Sequence, residues 1–111
     1  MAKAKNIFSH YPGEDLVYYI PFDDFLGSDT IATVSFTVPT GLVKEAEGKN
    51  SGAITLRIDG VDETFIANQV AYVQISGGTE DTTYTVPCTI TTTTSGETVI
   101  RDIILVCERK P

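Results

Sequence analysis

Between Thr83 and Cys107 the chain leaves itself little choice of secondary structure. Tyr84, Val86, Cys88 and Ile90 alternate with Thr83, Thr85, Thr89 and Thr91, and after Thr94-Ser95-Gly96-Glu97 a run rich in Val and Ile returns from Thr98 to Cys107. A period of two places successive side chains on opposite faces of a strand, and two such runs around a polar, Gly-containing turn read as a hairpin. The pattern recurs upstream. In Thr30–Val38, Ala32, Val34, Phe36 and Val38 share a face opposite Thr33, Ser35 and Thr37, and Ile54 and Leu56 alternate with Thr55 and Arg57. Further strands are expected at Leu16–Phe22, Leu42–Glu47, Thr64–Asn68 and Val70–Ser76, the first at a sheet edge because Pro21 cannot donate to a ladder. Thr, Ile and Val supply 37 of the 111 residues, a β-branched share that excludes a helix bundle. About seven short strands separated by turns read as an antiparallel β-sandwich. The expected organisation is an N-terminal arm over residues 1–13 and one sandwich domain over residues 14–111.

The hairpin also bears on the cysteines. With Thr93 opposite Thr98, Cys88 faces Ile103 and Cys107 faces Tyr84, four residues away or roughly 13 Å. A disulfide needs Cα atoms within about 7 Å, so two separate, reduced, buried thiols are expected.

The formal charge of −7 is the wrong sign for phosphate-backbone binding, so no nucleic-acid partner is expected. No apolar run approaches the ~20 residues that span a bilayer, so no membrane partner is expected either. Lys3 and Lys5 are not followed by the apolar stretch of a secretory signal, so export by that route is not expected and synthesis in a cytoplasm is.

Catalytic chemistry has little to stand on. His10 is the one histidine, before the first expected strand, where a surface position is the ordinary reading. A Ser–His–Asp arrangement depends on fixing it, and a zinc site needs several Cys and His at short spacing. Carboxylates cluster at Glu14-Asp15, at Asp23-Asp24 with Asp29, and at Asp59–Glu63, without the spacing of a calcium-binding EF-hand. A chain with no Trp offers little surface for stacking a sugar. The expectation is therefore no catalytic residue, no metal and no cofactor.

Beyond this, the order of the segments resembles small virion structural proteins of tailed bacteriophages. The likeness runs over residues 15–107. It is carried by the Tyr18-Tyr19 strand leading into Gly27-Ser28-Asp29-Thr30-Ile31, by Ser35-Phe36-Thr37-Val38-Pro39-Thr40-Gly41-Leu42, and by Val73-Gln74-Ile75-Ser76-Gly77-Gly78-Thr79 followed by Tyr84-Thr85-Val86. Ile90-Thr91-Thr92, Ser95-Gly96-Glu97-Thr98 and the closing strand with Arg101, Ile103, Leu105 and Cys107 complete it. The segment Glu45–Gln69 departs from that pattern, and Phe36 stands where the family often has Trp. The resemblance implies an immunoglobulin-like sandwich and a non-enzymatic virion subunit, either a capsid decoration (cement) protein or a fiber–tail adaptor. It also implies partners among capsid or tail proteins and multiple copies in the particle. The competing reading is an immunoglobulin-like cell-surface adhesion or carbohydrate-binding module. The side chains expected to carry partner binding are Lys3, Lys5, Ile7, Phe8 and Tyr11 of the arm together with Tyr18 and Tyr19. An arm exposing Ile7, Phe8 and Tyr11 gains by burying them on a neighbour.

Overall fold

The computed structural model describes residues 7–58 and 60–108, so Lys3 and Lys5 lie outside the described residues. Its strands are β1 (Ile7–His10), β2 (Asp15–Pro21), β3 (Ile31–Phe36), β4 (Leu42–Lys49), β5 (Ile54–Ile58), β6 (Val61–Phe65), β7 (Val70–Gly77), β8 (Thr82–Thr92) and β9 (Thr98–Cys107), with a one-turn helix α1 (Asp23–Leu26) after β2. One sheet has the order β1-β9-β8-β3, a second the order β2-β7-β4, and β5-β6 is a separate two-stranded hairpin. The fold is an all-β sandwich, and the two larger sheets enclose one core. Ile20, Phe22, Val73 and Ile75 from one side meet Ile31, Val86, Ile90, Ile103 and Leu105 from the other, all essentially without solvent contact.

The alternating sequence explains β8 and β9 in detail. Tyr84, Val86, Cys88 and Ile90 are buried, and so are Ile103, Leu105 and Cys107 opposite them. The register differs from the expected one by two residues. Thr91 pairs with Thr98, Cys88 with Arg101 and Thr82 with Cys107. The connection is longer than a four-residue turn because the Asp29 carboxylate, arriving from the α1–β3 loop, accepts hydrogen bonds from the Thr94 and Ser95 amides. A shift of two preserves the face of every side chain, whereas a shift of one would have inverted it. Both cysteines stay inward and are free thiols, now farther apart along the hairpin than the sequence register put them.

Two further segments depart from expectation. Ala32 was expected inside with Val34 and Phe36, but a bulge between Ile31 and Thr33 inserts it, so Ala32 is exposed and Ile31 is buried. Residues 7–10, expected within an arm, form β1 and pair in parallel with β9 from Ile7↔Ile104 to His10↔Cys107. The segment has no legible period because its one fully buried side chain is polar: His10 is 0% exposed, not a surface residue. The chain then reverses at Tyr11-Pro12-Gly13-Glu14. The Glu14 amide donates to the Tyr11 carbonyl at 3.0 Å, and Gly13 takes φ +89°, the left-handed conformation of a type II turn.

Candidate docking groove

Strand β2 is an edge strand, as Pro21 required, and pairs only with β7 among the described strands. Beside it lies a groove of about 270 Å³. From β2 it is lined by the consecutive residues Leu16, Val17, Tyr18 and Tyr19, and from the hairpin by Leu56 and Arg57, with Phe8 of β1 closing one side. Consecutive strand residues point to opposite faces. They can line one groove only if it runs along the strand's edge rather than over a face. The groove therefore runs along the edge of β2, and the β5-β6 hairpin, packed on the outer-face residues Tyr19 and Val70, supplies Leu56 and Arg57 as its far wall.

The groove wall is apolar and in contact with solvent. Leu16 and Val17 are 39% and 41% exposed, and Ile7 beside Phe8 is 53% exposed. Behind the wall the structure is fixed. The Tyr18 ring packs at 5.0 Å from the Phe8 ring, and its hydroxyl is bonded to His10 Nδ1. His10 Nε2 lies 3.0 Å from the Gly77 carbonyl, which can only accept, so Nε2 carries a proton. In the neutral imidazole Nδ1 then accepts from the Tyr18 hydroxyl. Burial, with the nearby Glu14 charge adding to it, holds the Tyr18 phenol well above its usual range. Burial likewise pushes the Cys88 thiol up to about 12 and raises that of Cys107. The Tyr18 phenol and both thiols therefore stay protonated at neutral pH.

The far side of the groove depends on how the β5-β6 hairpin is held. Tyr19, Ile54 and Leu56 pack around Phe65 and Val70 in a small second cluster. Asn50, almost fully buried, acts as a clasp. Its Nδ2 donates to the carbonyls of Gly52 and Ile66 at 2.9 and 2.8 Å, and its Oδ1 accepts from the amides of Gln69 and Val70 at 3.0 and 2.9 Å.

The opposite side of the sandwich is built differently. There β3 and β4 are also sheet edges, but side chains of β4 occupy the backbone of β3. Glu47 accepts from the Phe36 amide at 2.7 Å, Lys44 donates to the Phe36 carbonyl at 3.1 Å, and Lys49 donates to the Ile31 carbonyl at 3.0 Å. At the β2 edge, among the described residues, the Pro21 carbonyl is reached in this way by Arg101, which also holds Asp24 at 2.9 Å. Of the eight basic residues, Lys44, Lys49, Arg57 and Arg101 are the four on described segments, and each is spent on an internal contact.

Of the residues singled out from sequence, the groove gathers Phe8, Tyr18 and Tyr19, with Ile7 adjoining. Tyr11 is half-buried in the turn before β2 and does not line it. The sequence reading missed Leu16, Val17, Leu56 and Arg57. Leu16-Val17 carried a signal, since in an edge strand two adjacent apolar residues face opposite ways and the core can take only one. Arg57 carried none.

A family model, podophage GP4 fiber-tail adaptor protein gp77, matches residues 10–106. The chain belongs to this family. It is thus a structural protein of bacteriophages and a component of the virion. The matched stretch spans both edges of the sandwich, from the end of β1 to the end of β9. No curated protein matches the chain.

Proposed function

We propose that this protein is a non-enzymatic adaptor that joins a fiber to the phage tail through protein–protein contacts, with the groove between β2 and β5 as a docking site. The observation that carries the reading is the exposed apolar wall of Leu16 and Val17 backed by the locked Tyr18 and Tyr19 side chains. It is a preformed surface on rigid strands, and such a surface binds without a large ordering cost. The acidic surface, with the described basic groups already engaged, suits a basic protein partner and not nucleic acid. Ile7 beside the groove, and Lys3 and Lys5 just before it in sequence, extend the same contact in this reading. Several copies per particle are expected at the tail. Capsid decoration is the competing placement. Quantitative mass spectrometry of purified particles separates the two: an adaptor is present at a few copies that co-purify with detached tails, whereas a copy number matching capsomers, or absence from tails, overturns the proposal.

A further inference from the structure

The two sheets of the sandwich treat their outward faces differently. The outward face of β2-β7-β4 is roofed by the β5-β6 hairpin, with Ile54 and Leu56 packed around Tyr19 and Val70. No described element roofs the outward face of β1-β9-β8-β3. The inward sets, Ile103, Leu105 and Cys107 on β9 and Val86, Cys88 and Ile90 on β8, fix which residues look outward there. From β9 they are Ile100, Asp102, Ile104 and Val106, and from the middle of β8 Thr85, Pro87 and Thr89. Ile104 stands opposite Thr85, Asp102 opposite Pro87 and Ile100 opposite Thr89, so an apolar stripe runs beside a row of hydroxyls. Ile100 is 63% exposed, the most exposed of the large apolar side chains.

We infer that this face is where two copies of the chain meet, sheet on sheet. The contact is separate from the groove and goes beyond the adaptor reading. Charge selects the occupant. On a chain of net charge −7, Asp102 is the one charged side chain that the described strands of this sheet turn outward. Glu80, Asp81, Glu97 and Glu108 lie past the strand ends. A basic partner is drawn to the carboxylates elsewhere, whereas a second copy meets the least self-repulsion here. The chemistry is also self-complementary, because apolar side chains pack on apolar ones and a threonine hydroxyl both donates and accepts. A two-fold contact presents one patch to itself and needs that property. With strands about 4.8 Å apart and about 3.3 Å per residue, the four strands offer a face of roughly 500 Å². A standard interface takes about 800 Å² from each partner, so the dimer is small and reversible.

The test is sedimentation equilibrium of the full chain over a range of concentrations. The chain should dimerise reversibly below roughly 1 mM, and a chain that stays monomeric up to that concentration overturns the contact. Raising salt from about 0.05 to 0.5 M screens the like charges and should tighten the dimer. A dimer that weakens with salt is held by opposite charges and overturns it as well. On dilution, the methyl signals of Ile100, Ile104 and Val106 should move, with those of Val43 and Ile66, exposed elsewhere, unchanged. Ile100→Asp and Thr85→Glu each add a carboxylate per copy and should weaken the dimer by about tenfold or more. Val43→Asp on β4 and Val17→Asp in the groove should leave it unchanged. All four positions are exposed, so the variants should keep the wild-type melting temperature in dilute solution. A dimer that survives both Ile100→Asp and Thr85→Glu, or one lost with Val17→Asp, overturns the assignment of this face. The position of the chain in purified particles tests the adaptor reading separately and does not alter this result.

Discussion

The two flanks of this sandwich handle the same liability in opposite ways. Every open sheet leaves edge strands whose unpaired backbone invites another chain. On the β3/β4 flank, charged side chains of β4 cap the Phe36 and Ile31 backbone groups, and the edge is closed from within. On the flank where β2 meets the β5-β6 hairpin the β2 edge borders an apolar groove, and among the described residues the one side-chain cap on it is Arg101 at Pro21. A protein that must stay monomeric in solution has reason to close both edges. A protein that must hold a neighbour has reason to leave one open, and the closed flank then directs the neighbour to the other. The difference lies in a few side chains: Lys44, Glu47 and Lys49 at one edge, Leu16 and Val17 at the other.

The comparison can be broken most forcefully at the clasp. Asn50→Ala strands two buried amides and two carbonyls and should cost about 3 kcal/mol in urea-induced unfolding. It should also release the β5-β6 hairpin, seen as rapid amide exchange in residues 54–65, and abolish the groove while β3 and β4 remain protected. His10→Ala acts from behind the groove wall. It removes the partners of the Tyr18 hydroxyl and the Gly77 carbonyl and leaves a void beside β9, so a loss of about 2–3 kcal/mol is expected by the same measurement.

At the closed flank, Glu47→Ala leaves the Phe36 amide unpaired and should cost about 1–2 kcal/mol. At the open flank, Val17→Thr should change stability by less than about 0.5 kcal/mol, since its side chain is already solvated. Partner binding should invert the order, with Val17→Thr the more damaging. The smallest effect is in pH. Tyr18, Cys88 and Cys107 all have folded pKa values raised by burial. The stability they contribute is complete below their unfolded values, near pH 9 for the thiols, and is lost as pH rises toward the folded ones. The urea midpoint should therefore hold steady to about pH 8 and decline above 9. In the same range both thiols should resist a thiol-specific reagent until the protein is unfolded.

How much of this was legible depended on whether a period survived. The alternation in Thr83–Thr93 named the inward residues of β8 correctly, whereas Thr98–Cys107, apolar at consecutive positions, was legible as a strand without its inward face. The register between them slipped by two because Asp29, distant in sequence, sets the length of the turn. Ala32 and Ile31 exchanged places because a bulge is a local insertion that leaves no mark in a binary pattern. β1 was illegible because its buried residue is a histidine whose partners, the Tyr18 hydroxyl and the Gly77 carbonyl, are brought to it only by the fold. The groove was half legible. The aromatic cluster drew attention to Phe8, Tyr18 and Tyr19, but Leu56 and Arg57 reach it from a hairpin in the segment where the family likeness was weakest. A site made between a strand edge and a hairpin is a property of the packing of sheets and has no motif of its own.

The most direct measurement is a cryo-electron microscopy reconstruction of the tail in intact particles, at a resolution that separates strands. The account predicts this protein at the fiber–tail junction, with density from a neighbour seated against Leu16 and Val17 in the groove along β2 and with the β3/β4 flank free of partners. A β2 edge left bare to solvent, with the neighbour seated instead on β3 and β4, would contradict it.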